Sequence, residues 1–572
     1  MTDLIAEVQF WVSFLILNYL NYFVIYLLHH QESSFLPYID RLKDKKLGLT
    51  ADANLDFFRY GVELSIFIIC SRFLDLHHYT TAFSICYFFI LVFNIYQYSF
   101  RKIYETEPIL FNDFKLFKNG LAIVWHESKW KMIAAGLVVI VVFLVSNLAL
   151  KAFFIKNFSL GVSLSFLGLS GFKLLIIAYA VYGHKGFYVK YPNDIYLRYH
   201  FIIAELFMNL KKSVACYKIS KMRFGDKYMK ARTDINFEPI DSPPNIHFIF
   251  IESYGAFVYQ SEKLQKEAYQ NLGDFQEKIK AQGYHTLSNF SESTTAGGQS
   301  WLTYTSVLFG YRIDNNTLFE NLLNDSQFRE SNGIMQLFKK IGYTNYNLNP
   351  INPINGISVP YAAMRKLYCI DRWILNEDIE YKGDKYGFGA AAPDQYSMNY
   401  TLDLIKKEKN RPYTFFYLTQ SSHSPFPKID LVEDWKTLNH GDGRVHSHQG
   451  FLKYPTIEDY GQAIKYQIGN LQKFISENQG KDDLYIIIGD HQPPILSSPD
   501  EYGIETPVHI ISRNTSFLEN FKEYGFALNL QNCKTPTKHE ALFSIFLRSF
   551  IKSYGKMNAP LPDYEPEGLQ LK

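Results

Sequence analysis

The chain has 572 residues, with 58 Lys and Arg against 56 Asp and Glu, for a formal charge of +2. That length implies roughly three to four domain-sized units, and so even a balance excludes a dedicated nucleic-acid binder, which needs a basic field. With 47% hydrophobic and 20% charged residues the chain is not intrinsically disordered, and its five cysteines exclude a disulfide-rich scaffold.

The mean hydropathy of −0.12 averages two unlike halves. In chain order, residues 1–183 read as a helical membrane domain of about five spans. Val8–Leu28 carries no charge and is long enough to cross a bilayer core; no basic flank or small-residue cleavage site marks it as a removable signal, so it is expected to be retained. Phe57–Phe73 is the second span, although Arg59, Glu63 and Arg72 lie within it. Ala82–Tyr98 is an uncharged aromatic-rich run, Met132–Leu150 contains GLVVIVVFLV, and Leu160–Tyr182 includes Lys173. The competing reading is a set of buried core helices.

Loop charge gives an orientation. Arg41, Lys43, Lys45 and Lys46 follow the first span, and Arg101, Lys102, Lys115, Lys118, Lys129 and Lys131 follow the third. By the positive-inside tendency these connections, and the carboxyl-terminal half, lie in the cytoplasm. Residues 184–241 mix basic and aromatic side chains, as in KGFYVKYPNDIYLRYHFIIAELF. They read as a membrane-proximal linker with an amphipathic helix, either plain or lying in the membrane interface.

From about residue 242 short apolar runs alternate with amphipathic segments, which predicts a largely parallel sheet covered by helices over 242–552, followed by a tail at 553–572. Strands are expected at 245–251, 342–348, 413–418, 483–489 and 507–512. Helices are expected at 262–282, 317–341, 392–409 and 457–477, with KHEALFSIFLRSF as a final packing helix.

Ligands of such sheets gather beyond the carboxyl ends of the strands, so the polar residues there carry the chemistry. NIHFIFIES ends a strand with Glu252, which serves either as a helix cap or as a ligand. DLYIIIGDHQPP ends another with Asp490 and His491, an oxygen and an imidazole nitrogen suited to one metal ion. SESTTAGGQSWLTYTSVLFG puts two glycines and several hydroxyls before a helix, where an anion is favoured and a metal-activated hydroxyl would act as nucleophile. YLTQSSHSPF places His423 to hold a phosphate oxygen or protonate a leaving group, against a purely structural role. One hydroxyl, two carboxylates and an imidazole suit a single divalent cation.

NIHFIFIES, GGQSWLTYTSVLFG, SSHSPF and IIIGDHQPP together resemble the sulfatase-like branch of the alkaline phosphatase superfamily, and within it the lipoteichoic acid synthase and phosphoglycerol transferase group. The likeness covers about residues 240–552; a five-span anchor and the segment YETEPILFNDFKLF are also similar to that group. The resemblance implies a sulfatase-like catalytic domain in which Glu252, Asp490 and His491 hold the metal. It also implies a nucleophile ten residues before Gly310, which is Ser300 here in place of the group's usual Thr, with Thr294 and Thr295 as rivals. Trp301, Leu302, Thr303 and Tyr304 lack the x-Pro-x-Arg that formylglycine sulfatases require. No second metal site can be assembled from the motifs, and the group's substrate-contacting His and Arg are not clearly matched; NYNLNPINPIN offers Asn instead.

The activity implied is a metal-dependent phosphotransferase of the cell envelope, multi-pass in the cytoplasmic membrane, with an extracytoplasmic catalytic domain in conflict with the loop charges. It would use one divalent ion, manganese first, with magnesium or zinc as alternatives. It would move a phospholipid head group, phosphoglycerol before phosphoethanolamine, to a glycan or polymer acceptor through a phosphoserine. The competing activities are a phosphodiesterase or sulfatase-type hydrolase of the same fold and a non-enzymatic membrane binding protein.

Overall fold

The computed structural model describes residues 2–28, 79–104, 106–127, 129–153, 202–222, 235–329, 333–351, 361–387, 389–408, 412–446, 455–478, 483–497 and 499–569. The chain divides into two compact units, residues 1–102 with 107–215, and residues 103–106 with 216–572. The boundary at residue 215 falls inside the segment expected as a linker.

The described residues of the first unit are mainly helical, with α1 (Thr2–Leu28), α2 (Thr80–Tyr104), α3 (Leu110–Glu127), α4 (Lys129–Phe153) and the start of α5 (Ile202–Ile219). Two described helices are long and apolar enough to cross a membrane, Thr80–Tyr104 with 25 residues and Met132–Ala152 with 21. The expected spans Phe57–Phe73 and Leu160–Tyr182 lie outside the described residues. Polar side chains fasten α5 within this unit: Arg101 pairs with Glu205 at 3.1 Å, and Asn209 accepts from Leu110 N at 3.0 Å while donating to Pro108 O at 2.8 Å.

The second unit is built on a nine-stranded sheet. Its strands are β1 (Ile246–Ile251), β2 (His285–Glu292), β3 (Thr344–Asn349), β4 (Arg372–Leu375), β5 (Tyr413–Leu418), β6 (Leu484–Gly489), β7 (Glu505–Ser512), β8 (Ala527–Leu528) and β9 (Thr537–Lys538). The order is β8-β2-β7-β6-β1-β5-β3-β4, with β9 beside β2. β6, β1, β5, β3 and β4 run parallel, whereas β7 is antiparallel to both β6 and β2. The sheet is thus parallel at its centre and mixed toward one edge.

Side chains of a strand alternate between faces. Ile246, Phe248 and Phe250 point into one core with α7 (Ser300–Phe309), α9 (Ile334–Lys340), α12 (Thr515–Lys522) and α13 (Leu542–Tyr554). Ile249 and Ile251 point into the other, with α6 (Gln265–Lys280), α10 (Asp394–Glu408) and α11 (Ile457–Glu477). Both faces are covered, which is why β1 and β6 read as continuous apolar runs. A further helix, α8 (Asn316–Asn324), belongs to the segment expected as one helix over 317–341. That segment breaks because Asp325 is extended and its carboxylate accepts from Phe328 N at 2.9 Å, starting a new turn. β2 escapes the sequence pattern because most of its buried positions are polar; Ser288, for instance, bonds His509 Nδ1 at 2.6 Å.

Within the segment expected as a tail, two described backbone groups bond this unit. Lys556 N donates to Glu238 O and Leu569 N to Gly310 O, both at 2.8 Å.

The carboxyl end of β6 is tightly built. A Cβ on Gly489 would lie 1.9 Å from the carbonyl oxygen of Tyr254, with backbone rather than a flexible side chain in the way. Gly489→Ala is therefore expected to cost about 1–3 kcal/mol and to lower the thermal unfolding midpoint by several degrees; an unchanged midpoint would show that the 254 turn is free to move.

Candidate metal centre and nucleophile

β1 and β6 are adjacent and parallel, with Ile251 opposite Gly489. The next residue on each strand, Glu252 and Asp490, therefore leaves the sheet side by side, and both are buried. Asp490 is fixed by one oxygen: Oδ1 accepts from Ser253 N and His491 N, each at 2.7 Å. Ser253 takes a left-handed conformation, φ 60°, as the chain turns off the strand. Asp490 Oδ2 is buried without a hydrogen-bond partner among the described residues. An orphaned buried carboxylate oxygen is costly unless a cation or proton meets it.

Ligating atoms of Glu252, Asp490 and His491 lie within 4.8 Å of one another. His491 Nδ1–H donates to Gln492 O at 2.8 Å, so its Nε2 holds the lone pair. That nitrogen lies 3.4 Å from Glu252 Oε1 and 3.3 Å from Asp490 Oδ2. Burial, reinforced by the charge of Asp490, pushes the Glu252 carboxyl up to about 8. Two buried carboxyl groups, acceptor-only once deprotonated, beside an imidazole whose other nitrogen is already engaged are a donor set that fits a divalent cation.

The hydroxyl comes from α7. Gln299 precedes it with φ 59°, and no side chain caps its first turn. The amino end of a helix favours an anion. Ser300 Oγ–H donates to Glu252 Oε2 at 3.3 Å, and the oxygen also lies 3.3 Å from His491 Nε2. The other four hydroxyls of residues 291–300 are placed differently. Ser291 bonds His539 Nδ1 at 2.9 Å, Ser293 donates to Asp490 O at 2.6 Å, and Thr295 bonds Thr303 Oγ1 at 3.2 Å. Thr294 Oγ1 is buried without a partner among the described residues.

His423 sits in the loop after β5. Its Nδ1–H donates to Ser424 O at 2.7 Å, and burial lowers its pKa while the charge of Asp490 opposes that shift. The loop is joined to the turn that carries Glu252: Ser422 Oγ donates to Glu252 O at 2.6 Å, and Glu252 N donates to Thr419 Oγ1 at 3.0 Å. Asp394 holds the same loop by accepting from Gln420 N at 2.9 Å and Ser421 N at 2.8 Å. The sequence reading missed Asp394 and Thr419, whose partners lie in distant segments; only the polar TQSS after β5 signals a structured loop.

No protein-family model and no curated protein matches the chain. Solved structures do match it. A protein in the alkaline phosphatase superfamily from Vibrio parahaemolyticus is similar at 15% identity and a TM-score of 0.37, over 60% of this chain and 75% of that one. The integral membrane lipooligosaccharide phosphoethanolamine transferase A from Neisseria meningitidis is similar at 12% identity and a TM-score of 0.47, over 92% and 94%. A phosphoglycerol transferase from Streptococcus pyogenes is similar at 13% identity and a TM-score of 0.33, over 58% and 80%. At such identities and scores the chemistry must be argued from the site's own geometry.

The elevated Glu252 pKa has a consequence for binding. Below about pH 8 the metal-free carboxyl holds a proton that an entering cation must displace. Affinity for a divalent ion is expected to fall as pH drops from 8 to 6, by at most about tenfold per unit from this group. In calorimetry at pH 7, buffers of different ionisation enthalpy should reveal proton release; pH-independent binding without release would contradict the assignment. The sign for stability is opposite. Because the folded pKa is raised, the metal-free protein gains stability from this group below about pH 4.5 and loses it as pH rises through 8.

Proposed function

We propose that this chain is a membrane-anchored, metal-dependent phosphotransferase that moves a phospholipid head group to a glycan or polymer acceptor through a phosphoserine on Ser300. The observation that carries the reading is the Ser300 hydroxyl at 3.3 Å from both Glu252 and His491, at the amino end of a helix. Glu252, Asp490, His491 and Ser300 would hold one ion. Manganese is the first choice because two carboxylates and an alcohol oxygen dominate the set, with zinc or magnesium as alternatives. When bound, the ion supplies Lewis-acid stabilisation of phosphoryl charge and lowers the pKa of the serine hydroxyl.

The protein's own groups do the rest. Glu252 receives the hydrogen bond of the Ser300 hydroxyl and so orients its lone pairs away from the carboxylate. Ser300 Oγ attacks the lipid phosphorus; the Oγ–P bond forms and the hydroxyl proton is released to solvent, while the bond from phosphorus to the diacylglycerol oxygen breaks and diacylglycerol leaves with a proton taken up at that oxygen. His423 is the proposed donor of that proton or holder of a phosphate oxygen, helped by the first-turn N–H groups of α7. With Nδ1–H given to Ser424 O, it does either through Nε2 and only as the imidazolium, which phosphate charge would favour against burial. An acceptor hydroxyl then attacks phosphorus, the Oγ–P bond breaks, and Ser300 recovers its proton.

Phosphoglycerol is the first head group and phosphoethanolamine the second, on the resemblance of the motifs. The apolar helices Thr80–Tyr104 and Met132–Ala152 support a membrane anchor; a multi-pass anchor that keeps the site near a lipid donor, with the catalytic unit outside the cytoplasmic membrane, is proposed on the resemblance of the motifs and against the loop charges.

The test is incubation of the full chain with head-group-labelled phosphatidylglycerol and phosphatidylethanolamine, with and without Mn²⁺. Diacylglycerol release that needs the metal is expected, and Ser300→Ala should reduce it by at least about 10³-fold. Undiminished turnover in Ser300→Ala would remove the nucleophile assignment. Free head group without an added acceptor would point to a hydrolase, and no release from any lipid or surrogate ester to a binding protein.

A further inference from the structure

Ser300 is flanked by two residues that one distant side chain holds. Asn316 Nδ2 donates to Gln299 Oε1 at 2.7 Å, and Asn316 Oδ1 accepts from Trp301 Nε1 at 2.8 Å. The polarity is consistent at both contacts, because an indole N–H can only donate and the amide oxygen receives it. Asn316 is 6% exposed.

Two further facts separate this arrangement from ordinary packing. Asn316 opens α8, but that helix is already capped by Asn315, whose side chain accepts from Leu318 N at 2.9 Å. The Asn316 amide is therefore not needed for its own helix. Gln299 meanwhile sits at φ 59° and ψ 38°, a region that non-glycine residues populate sparingly, and it gives α7 no side-chain cap. Its side chain instead faces Asn316, which holds the residue on which the direction of Ser300 depends.

The chain path explains how Asn316 reaches the site. α7 has ten residues and ends at Gly310 in a left-handed turn, a rise of about 15 Å. Ile313 N then donates to Ser306 Oγ at 3.0 Å, so the following segment returns along the helix. Five residues extended at about 3.3 Å each cover that length, which brings Asn316 to the amino end of α7.

We propose that Asn316 is a positioning residue for the reaction, clamping Gln299 and Trp301 so that the Ser300 hydroxyl stays within reach of Glu252 and His491. The inference rests on Ser300 being the nucleophile. Without the clamp Gln299 relaxes from its left-handed conformation and the first turn of α7 reorients. Glu252, Asp490 and His491, the three charged or imidazole side chains that would hold the ion, belong to other elements and stay in place. Catalysis is lost while ion and donor binding persist.

The experiment compares the full chain with Asn316→Ala, Trp301→Phe, the double variant and Ser300→Ala. Each is measured for diacylglycerol release and, by calorimetry, for Mn²⁺ affinity. Asn316→Ala should lower kcat by about 10²-fold, as a misplacement of about an ångström does, with KM and Mn²⁺ affinity within about threefold of the parent. Trp301→Phe, which removes one of the two bonds, should give a smaller fall in kcat, and the double variant should be no worse than Asn316→Ala alone. Parental kcat in Asn316→Ala overturns the proposal, as does a fall that tracks lost Mn²⁺ affinity. If Asn316→Ala does not fold, Trp301→Phe decides by the same split between kcat and metal affinity. Full turnover in Ser300→Ala would instead overturn the nucleophile assignment and this inference with it, whereas an inactive Ser300→Ala beside a fully active Asn316→Ala removes the inference alone.

Discussion

Two buried carboxylates stand side by side at the carboxyl edge of a parallel sheet, and the rest of the site is arranged around that constraint. The register fixes it: Ile251 lies opposite Gly489, so Glu252 and Asp490 emerge together from neighbouring strands, about 4.8 Å apart in the backbone. Like charges that close in a dry setting repel strongly. One Asp490 oxygen is satisfied by two backbone N–H groups and the other is left bare, while Glu252 resists ionisation. A divalent cation resolves this conflict, and the lone pair of His491 Nε2 faces the same point.

Positioning depends on side chains that never meet the reacting atoms. Asp394 gathers the loop after β5, and Ser422 and Thr419 of that loop bond the backbone of Glu252. Tyr460 OH donates to Ser253 O at 2.9 Å, holding the left-handed turn between the ligand and the core. His539 lies behind, with its Nε2 3.3 Å from Gly489 O and its Nδ1 against Ser291; burial lowers its pKa to about 4, so it stays neutral at ordinary pH. These contacts bridge residues far apart in the chain and make the turn a rigid platform.

What the sequence discloses follows from the same physics. Glu252, Asp490 and His491 are legible because each follows an apolar run that must be a buried strand, and a charged residue at that boundary stands out. Ser300 is legible only through its spacing from Gly310; composition alone leaves five hydroxyls in contention, and their partners distinguish them. β2 stays hidden because only Leu287 among its buried positions is apolar, the others being Thr286, Ser288, Asn289 and Ser291, two of which, Ser288 and Ser291, bond distant imidazoles. The reversal of β7 is equally silent, because PVHIIS is as apolar as a parallel strand. Asn316 and Asp394 carry no local signal, since their roles exist only once segments separated in sequence are packed together. The divided stretch after Asn324 is readable in hindsight from Asp325, whose carboxylate prefers to start a turn rather than continue one.

The central claim is that a serine alcohol and one divalent ion share a point above the β1 and β6 ends. Anomalous diffraction from Mn²⁺-soaked crystals tests it most directly. The account predicts a single strong peak bounded by the side chains of Glu252, Asp490, His491 and Ser300. A well-ordered ion bound elsewhere, with those four side chains ordered and facing no metal, would contradict it.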